Sequence, residues 1–265
     1  MNETALDRTA DTTPDFAVMF EELHGAFAAD SSRGLEWRDQ QLAALQRMMA
    51  ECEQDIMDAL AADLGKAPQE SWTTEISYVA ASAAHDRKNL RRWAKRRRVR
   101  TPLIGQPGRS WIQPEPLGVV LIIGAWNYPL QLTLSVLAAA IAAGNCAVVK
   151  PSELAPATSA LIARLVPEYL DADCIRVVEG GVPETTALLE LPFDHILYTG
   201  NGNVGRIVMA AAAKHLAGNA GTGRQVSLRR VAGCRSRDDC AAHRVGEIHE
   251  CRPDLHRSGP HPDRC

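Results

Sequence analysis

The sequence has no long apolar run, no leader and no cysteine framework, and each absence narrows what it can be. No stretch approaches the roughly 20 apolar residues that cross a bilayer, so no membrane span is expected. The first residues, MNETALDRTADTTPDF, are polar and acidic, unlike a secretory signal. Seven cysteines, an odd number without regular spacing, do not form a disulfide scaffold, and a reducing cytoplasm is the expected compartment. Net charge is only −3, which excludes general polyanion binding. Residues 218–265 lack Phe, Trp, Tyr and Lys altogether. What remains, 46% hydrophobic and 23% charged residues over 265 positions, is ordinary globular composition.

The patterning divides the chain into four parts. Residues 1–14 read as a disordered tail. Residues 15–100 read as a helical segment, with Leu35, Leu42, Leu45 and Met48, then Ile56, Leu60 and Leu64, at helical spacing. Gly65 fits a helix C-cap, and a further helix is expected from Glu70 to Trp93. Its end, Arg91 to Arg100, is strongly basic. It reads as a solvated helix terminus and not as a nucleic-acid or membrane patch, since one short run has no partner patch. From Pro116 onward, strands alternate with helices. Strands are expected at 118–123, 146–150, 175–178 and 195–199. Helices are expected at about 132–143, 157–170, 183–190 and 204–216. Such alternation with short loops predicts an α/β fold, a doubly wound parallel sheet over 101–217, Rossmann-like and preceded by the helical segment. Ligands of such sheets bind outside the carboxyl ends of the strands.

Chemistry-bearing residues gather at those ends. The apolar run Gly118 to Ile123 delivers Gly124-Ala125-Trp126-Asn127-Tyr128-Pro129. The residue before proline is pushed extended, so Tyr128 is not helical. An amide held on that loop, Asn127, can donate to a developing oxyanion, or it can form a structural Asx turn. Lys150 and Glu153 end another strand, a cation and a carboxylate suited to a phosphate and ribose hydroxyls. Gly181 follows a third strand. Gly200-Asn201-Gly202-Asn203-Val204-Gly205 fits G-x-G-x-x-G between a strand and a helix, where bare backbone and a helix N-terminus favour a phosphate. It follows the fourth strand and not the first, so on its own it reads equally as a glycine turn.

Four segments, PLGVVLIIGAWNYP, AAGNCAVVKPSELAP, VVEGGVPETTALL and FDHILYTGNGNVGRIVMAAAAKHL, together resemble the NAD(P)-dependent aldehyde dehydrogenase superfamily, and most its branch acting on fatty and aromatic aldehydes. The resemblance runs from about Leu23 to Leu216. It implies oxidation of an aldehyde substrate to a carboxylic acid with NAD or NADP, and a homodimeric parent enzyme. It implies Asn127 as the side-chain half of the oxyanion hole. Lys150 and Glu153 fall at the adenosine ribose, and Gly200 to Gly205 at the pyrophosphate, with Val204 toward the adenine and Trp126 and Gly181 at the same edge. An acyl-phosphate or acyl-CoA reductase of the same superfamily is a more distant alternative.

The resemblance stops at about Ala217. The general-base glutamate of E-L-G-G-K-S-P and the nucleophilic cysteine of N-x-G-Q-x-C, which the family carries next, are absent. Residues 218–265 instead hold nine Arg, four Cys and four His and keep no sustained apolar period. Cys234, Cys240, His243, His249 and Cys251 match no standard zinc spacing, so no metal site is expected. The arginines have no interleaved aromatics, so no nucleic-acid platform is expected. A one-base offset, with third bases chosen to suit, explains more. Gly221 to Ser227, written GGA ACT GGG CGG CAA GTC TCC, then reads E-L-G-G-K-S-P. Glu250 onward, written GAA TGC CGG CCA GAC CTG CAT C, reads N-A-G-Q-T-C-I. Val245 to Glu250 reads W-G-K-F-M-N. The hidden base and nucleophile start in the codons of Gly221 and Leu255, at the separation the family keeps. The tail is therefore expected to be a frameshifted, disordered, non-homologous segment. The chain is then a truncated family member without covalent catalysis, either a remnant or the dinucleotide-binding half of a split enzyme. Cys146 and Cys174 read as small core residues and not as replacement nucleophiles.

Overall fold

The structure, a computed structural model, describes residues 16–216 and the backbone of 225–230. The expected tail at 1–14 and most of 218–265 lie outside the described residues. The helical segment consists of α1 (Phe16–Ala28), α2 (Leu35–Glu51), α3 (Glu53–Leu64), the single turn α4 (Pro68–Ser71) and α5 (Ser77–Trp93). A π-helical turn, Trp72–Ile76, joins α4 to α5. Gly65 ends α3 in the left-handed conformation (φ 64°), where a Cβ would be strained, and its N–H closes on Ala61.

The second part carries β3 (Val119–Ile123), α6 (Gln131–Ala143), β4 (Cys146–Lys150), α7 (Pro156–Tyr169), β5 (Ile175–Val177), α8 (Val182–Leu189), β6 (His195–Gly200) and α9 (Gly202–Leu216). All pairings in this sheet are parallel, in the order β5-β4-β3-β6 and then a strand at 225–230. Every residue of β3 and β4 is buried, as continuous β-branched runs covered on both faces require. The chain steps outward from β3 through β4 to β5, then returns past β3 to lay down β6. The strand order therefore reverses between β3 and β6, and a crevice opens at their carboxyl ends.

One core joins the helices to the sheet. Leu23, Leu42, Leu45, Ile56 and Leu60 belong to the same buried cluster as Leu121, Val148 and Ile196. Polar ties follow the same seam. The Asp63 carboxylate of α3 accepts the N–H groups of Ala157 and Thr158 (2.9 and 2.7 Å), satisfying the first turn of α7 from another layer. Among the described residues no helix is long and apolar enough to cross a membrane.

Two elements differ from the sequence expectation. The expected helix does end at Trp93, but the basic run after it, read as a solvated helix terminus, does not stay unpaired. Arg97–Val99 is instead a strand, β1, paired antiparallel with β2 (Ser110–Ile112). The turn at Pro102 to Gly108 folds the chain back, and the Arg96 guanidinium stacks on the Trp111 ring at 4.8 Å. Tertiary pairing thus overrides a charge pattern that looked helical. The second difference is a short strand inside the segment expected to be disordered: β7 (Gln225–Arg230) lies parallel to β6. Gln-Val-Ser-Leu alternates over only four residues, too short a period to register against the surrounding arginines.

Candidate functional site

Three strand ends build the site. β3 runs into Gly124, whose N–H donates to the Lys150 carbonyl (3.0 Å). A Cβ on Gly124 would lie 2.1 Å from the Thr133 hydroxyl of α6, so the chain passes there only as glycine. The following loop leaves Trp126 half exposed and Asn127 half buried. β4 ends at Lys150, whose side chain is 2% exposed. Its ammonium donates to the Pro151 carbonyl (2.9 Å) and to Glu153 Oε2 (3.2 Å). A buried cation is thereby paired with a carboxylate that still faces solvent, the arrangement burial demands.

β6 ends at Gly200, and a Cβ there would sit 2.1 Å from the Tyr198 hydroxyl. That hydroxyl donates to the Asn201 carbonyl (3.2 Å). The Asn201 side chain accepts the Val204 N–H (3.0 Å) and so caps α9. The N-terminus of this fifteen-residue helix points its positive dipole end at the crevice. At the start of α8, the Glu184 carboxyl titrates below the usual carboxylate range. Its own N–H and that of Gly181 (2.6 Å) hold the charge, and the Lys150 ammonium adds attraction.

These ends enclose a cleft of about 600 Å³, within the range of small-molecule and cofactor sites. Of the residues singled out from the sequence, Trp126, Asn127, Lys150, Glu153, Gly200, Asn201 and Val204 line it. Four do not. Gly181 is the first residue of the α8 cap, and its N–H is taken by Glu184. Gly202 and Gly205 are already inside α9, and Gly205 donates its N–H to the Asn201 carbonyl. The Asn203 side chain turns along the helix to accept from Arg206 (2.5 Å). The helix thus starts two residues earlier than its apolar pattern suggests, which carries the later glycines of the motif away from the cleft.

The sequence reading missed Ser152, Thr185, Thr186, Tyr198 and Ile207, which also line the cleft. Tyr198 had a signal, two residues before a glycine on the same strand face. Thr185 and Thr186 had none, because their hydroxyls return to helix carbonyls. Also missed were Lys66 and Glu75, a buried ion pair beneath the Asn127 loop. The tail cysteines and histidines lie outside the described residues. Among the described residues no group of three or more His, Cys, Asp or Glu is placed to hold a metal.

Comparison with known proteins places this geometry among relatives. Residues 2–221 match the model of the aldehyde dehydrogenase family. Aldehyde dehydrogenase family 3 member A2 of Mus musculus is 51% identical over 194 residues, covering 73% of this chain and 40% of that protein. The dimeric, NADP-preferring aldehyde dehydrogenase of Canis lupus familiaris is 48% identical, covering 72% and 42%. A substrate-bound AldH of Staphylococcus aureus superposes with a TM-score of 0.77 at 41% identity, covering 81% of this chain and 45% of that one. Aldehyde dehydrogenase C of Pseudomonas syringae, in complex with NAD+ and octanal, superposes at 0.68 with 28% identity, covering 82% and 42%. The chain spans about two fifths of the length of the curated relatives it matches.

Proposed function

Because the chain belongs to the aldehyde dehydrogenase family, we propose that residues 101–217 are the NAD(P)-binding domain of an enzyme that oxidises aldehydes to carboxylic acids. We further propose that the reading frame slips before the residues of covalent chemistry. The observation that carries the binding assignment is the convergence of Asn127, the Lys150–Glu153 pair and the N-terminus of α9 on one cleft at the point where strand order reverses.

The residues present fit a dinucleotide. The backbone stays bare at Gly200, where a Cβ would meet Tyr198, so a phosphate can approach the α9 N-terminus closely. Glu153, half exposed beside a buried ammonium, accepts from ribose hydroxyls. Its negative charge disfavours a 2′-phosphate and Lys150 offsets that, so the ribose end suits NAD or NADP. When bound, the nicotinamide supplies the hydride acceptor. The amide of Asn127 then donates to the oxygen that gains charge when a thiolate attacks the aldehyde.

The thiolate and the general base are not encoded in this frame. With third bases chosen to suit, Ala217 to Ala220 can be written GCC GGT AAC GCT, and the one-base offset that yields E-L-G-G-K-S-P, W-G-K-F-M-N and N-A-G-Q-T-C-I then reads them as P-V-T-L. That alternating apolar lead suits a buried strand and runs directly into the hidden glutamate. It agrees with a slip near Ala217–Gly218. In the frame given, the chain binds the dinucleotide and does not turn over aldehyde. The parent enzyme acts on an aldehyde as a homodimer. Its compartment is the cytoplasm, which the free thiols of Cys52, Cys146 and Cys174 support.

The nucleotide sequence is the direct test of the slip: an offset frame without these motifs ends the proposal. Purified protein tests the rest. A thermal shift with NAD+ or NADP+ and no product from a fatty or aromatic aldehyde is the expected result. Saturation at a hundredfold excess over Kd would add about 2.7 kcal/mol. Turnover above background would overturn the loss of covalent catalysis, and no shift with either nucleotide would overturn the binding assignment.

A further inference from the structure

We propose that Lys66 and Glu75 are positioning residues for Asn127, a buried ion pair that fixes the direction in which its amide enters the cleft. The inference rests on the reading of Asn127 as an amide donor, and its test does not require the nucleotide.

The pair lies outside the α/β unit. Lys66 follows the left-handed Gly65 that ends α3, which turns its side chain inward. Glu75 lies in the π turn between α4 and α5 and is wholly buried. A π turn inserts a residue into a helical run and re-aims the side chains on it, a distortion that recurs at functional sites. Here Trp72 and Thr73 stay exposed while Glu75 is driven into the core.

Every charged atom of the pair is used on one loop. The Lys66 ammonium ion-pairs with Glu75 Oε1, donates to the Asn127 carbonyl (3.1 Å) and sits 4.0 Å from the centre of the Tyr128 ring. Its three donor directions are therefore a carboxylate, a carbonyl and an aromatic face. The second oxygen, Glu75 Oε2, accepts the N–H groups of Leu130 (2.9 Å) and Gln131 (3.0 Å). Those are unpaired donors at the start of α6, where a negative charge also meets the helix dipole. The peptide after Asn127 is thus held on one side and the exit of the loop on the other. Pro129 restricts Tyr128 between them. The Cα–Cβ direction of Asn127 follows from these restraints.

Stability alone gives a weak reason for such a pair. Two charges taken out of water are often replaceable by apolar residues without loss, whereas removing one partner strands the other. What an apolar pair cannot do is hold a carbonyl and two N–H groups of a loop in place.

The test uses the full chain labelled with ¹⁵N-asparagine, without nucleotide. The Asn127 side-chain amide signals are assigned with Asn127→Asp. Asn145 serves as the internal reference, because its Oδ1 accepts the Leu117 and Gly118 N–H groups (2.7 and 3.1 Å) in the core. Two variants are compared with the parent: Lys66→Met, and the charge-free double Lys66→Met/Glu75→Leu, which strands no charge and keeps the fold. In both, the Asn127 signals should shift and broaden. Amide hydrogen exchange over 127–131 should rise at least tenfold, with Asn145 and the amides of β4 unmoved. If Asn127 and 127–131 keep the parent's behaviour in the double variant, the pair does not position the loop. If Asn145 and β4 change along with them, the effect is global and the positioning role is equally overturned. A failure to bind NAD+ would leave these readouts intact and count only against the proposed function.

Discussion

Two loops face each other across the cleft, and they are held in opposite ways. The loop after β3 is clamped from outside by Lys66 and Glu75, more than fifty residues earlier in the chain. The loop after β6 has anchors of its own: the Asn201 side chain caps its own helix, and the Tyr198 hydroxyl donates to the Asn201 carbonyl. A loop that presents backbone to a phosphate needs little beyond glycine and a helix start. A loop that must aim one side chain needs anchors on both sides of it, and the nearest rigid atoms belong to another layer.

The comparison breaks most visibly at Glu75. Glu75→Ala leaves Lys66 buried without a counter-charge and frees the N–H groups of Leu130 and Gln131. A loss of about 3–5 kcal/mol is expected in urea denaturation, the range for breaking a buried pair from one side. The Asn201 side-chain resonance, on the self-held loop, should stay in place under native conditions. A loss below about 1 kcal/mol would mean that the clamp is already relaxed in the parent.

On the other loop, the largest effect should come from Gly200→Ala. The added methyl overlaps the hydroxyl end of Tyr198, a side chain only 7% exposed. Displacing it should cost about 1–3 kcal/mol, as overpacking does, and should weaken NAD+ binding measured by calorimetry. Unchanged affinity would show that the backbone of Gly200 does not meet the nucleotide. Asn201→Ala is milder. It removes the cap of α9, worth about 1 kcal/mol, and should lower the melting temperature without altering the Asn127 signals. A shift at Asn127 would couple the loops and erase the distinction between them.

That distinction also explains what could be read from the sequence. Asn201, Gly200 and Lys150 act through neighbours within a few positions, so strand ends and turn chemistry disclosed them. The expected β3 and β4 follow from Gly118 to Ile123 and Cys146 to Lys150, whose continuous apolar runs admit few other structures. Lys66 and Glu75 looked like ordinary charges near helix ends, because nothing local marks a side chain whose partners lie 55 to 61 residues away. The start of α9 was misplaced for the opposite reason. Its first turn is fixed by the Asn201 cap, while the apolar period begins only at Val204. β1 was missed because its arginines stay exposed and its pairing partner lies beyond a turn.

The smallest effect concerns the wall that the loops share. Glu184 caps α8 by accepting its own N–H and that of Gly181, and its folded-state pKa lies below the ordinary glutamate value. A depressed carboxylate adds stability that is fully present above the unfolded pKa, about 4.3. That stability fades as pH falls through the lower folded value. Glu184→Gln keeps a neutral acceptor and removes the charge. Its melting temperature should therefore lie slightly below the parent's at pH 7, and the gap should close as the pH is lowered beneath about 4.3. The Lys150 charge adds only the smallest share of that lowering of the pKa, so the charge-free variant should weaken NAD+ binding less than Gly200→Ala does. A gap that stays constant with pH would mean that the cap works through shape and hydrogen bonding alone. The α8 wall would then belong with the self-held loop, its charge playing no part in the electrostatics of the cleft.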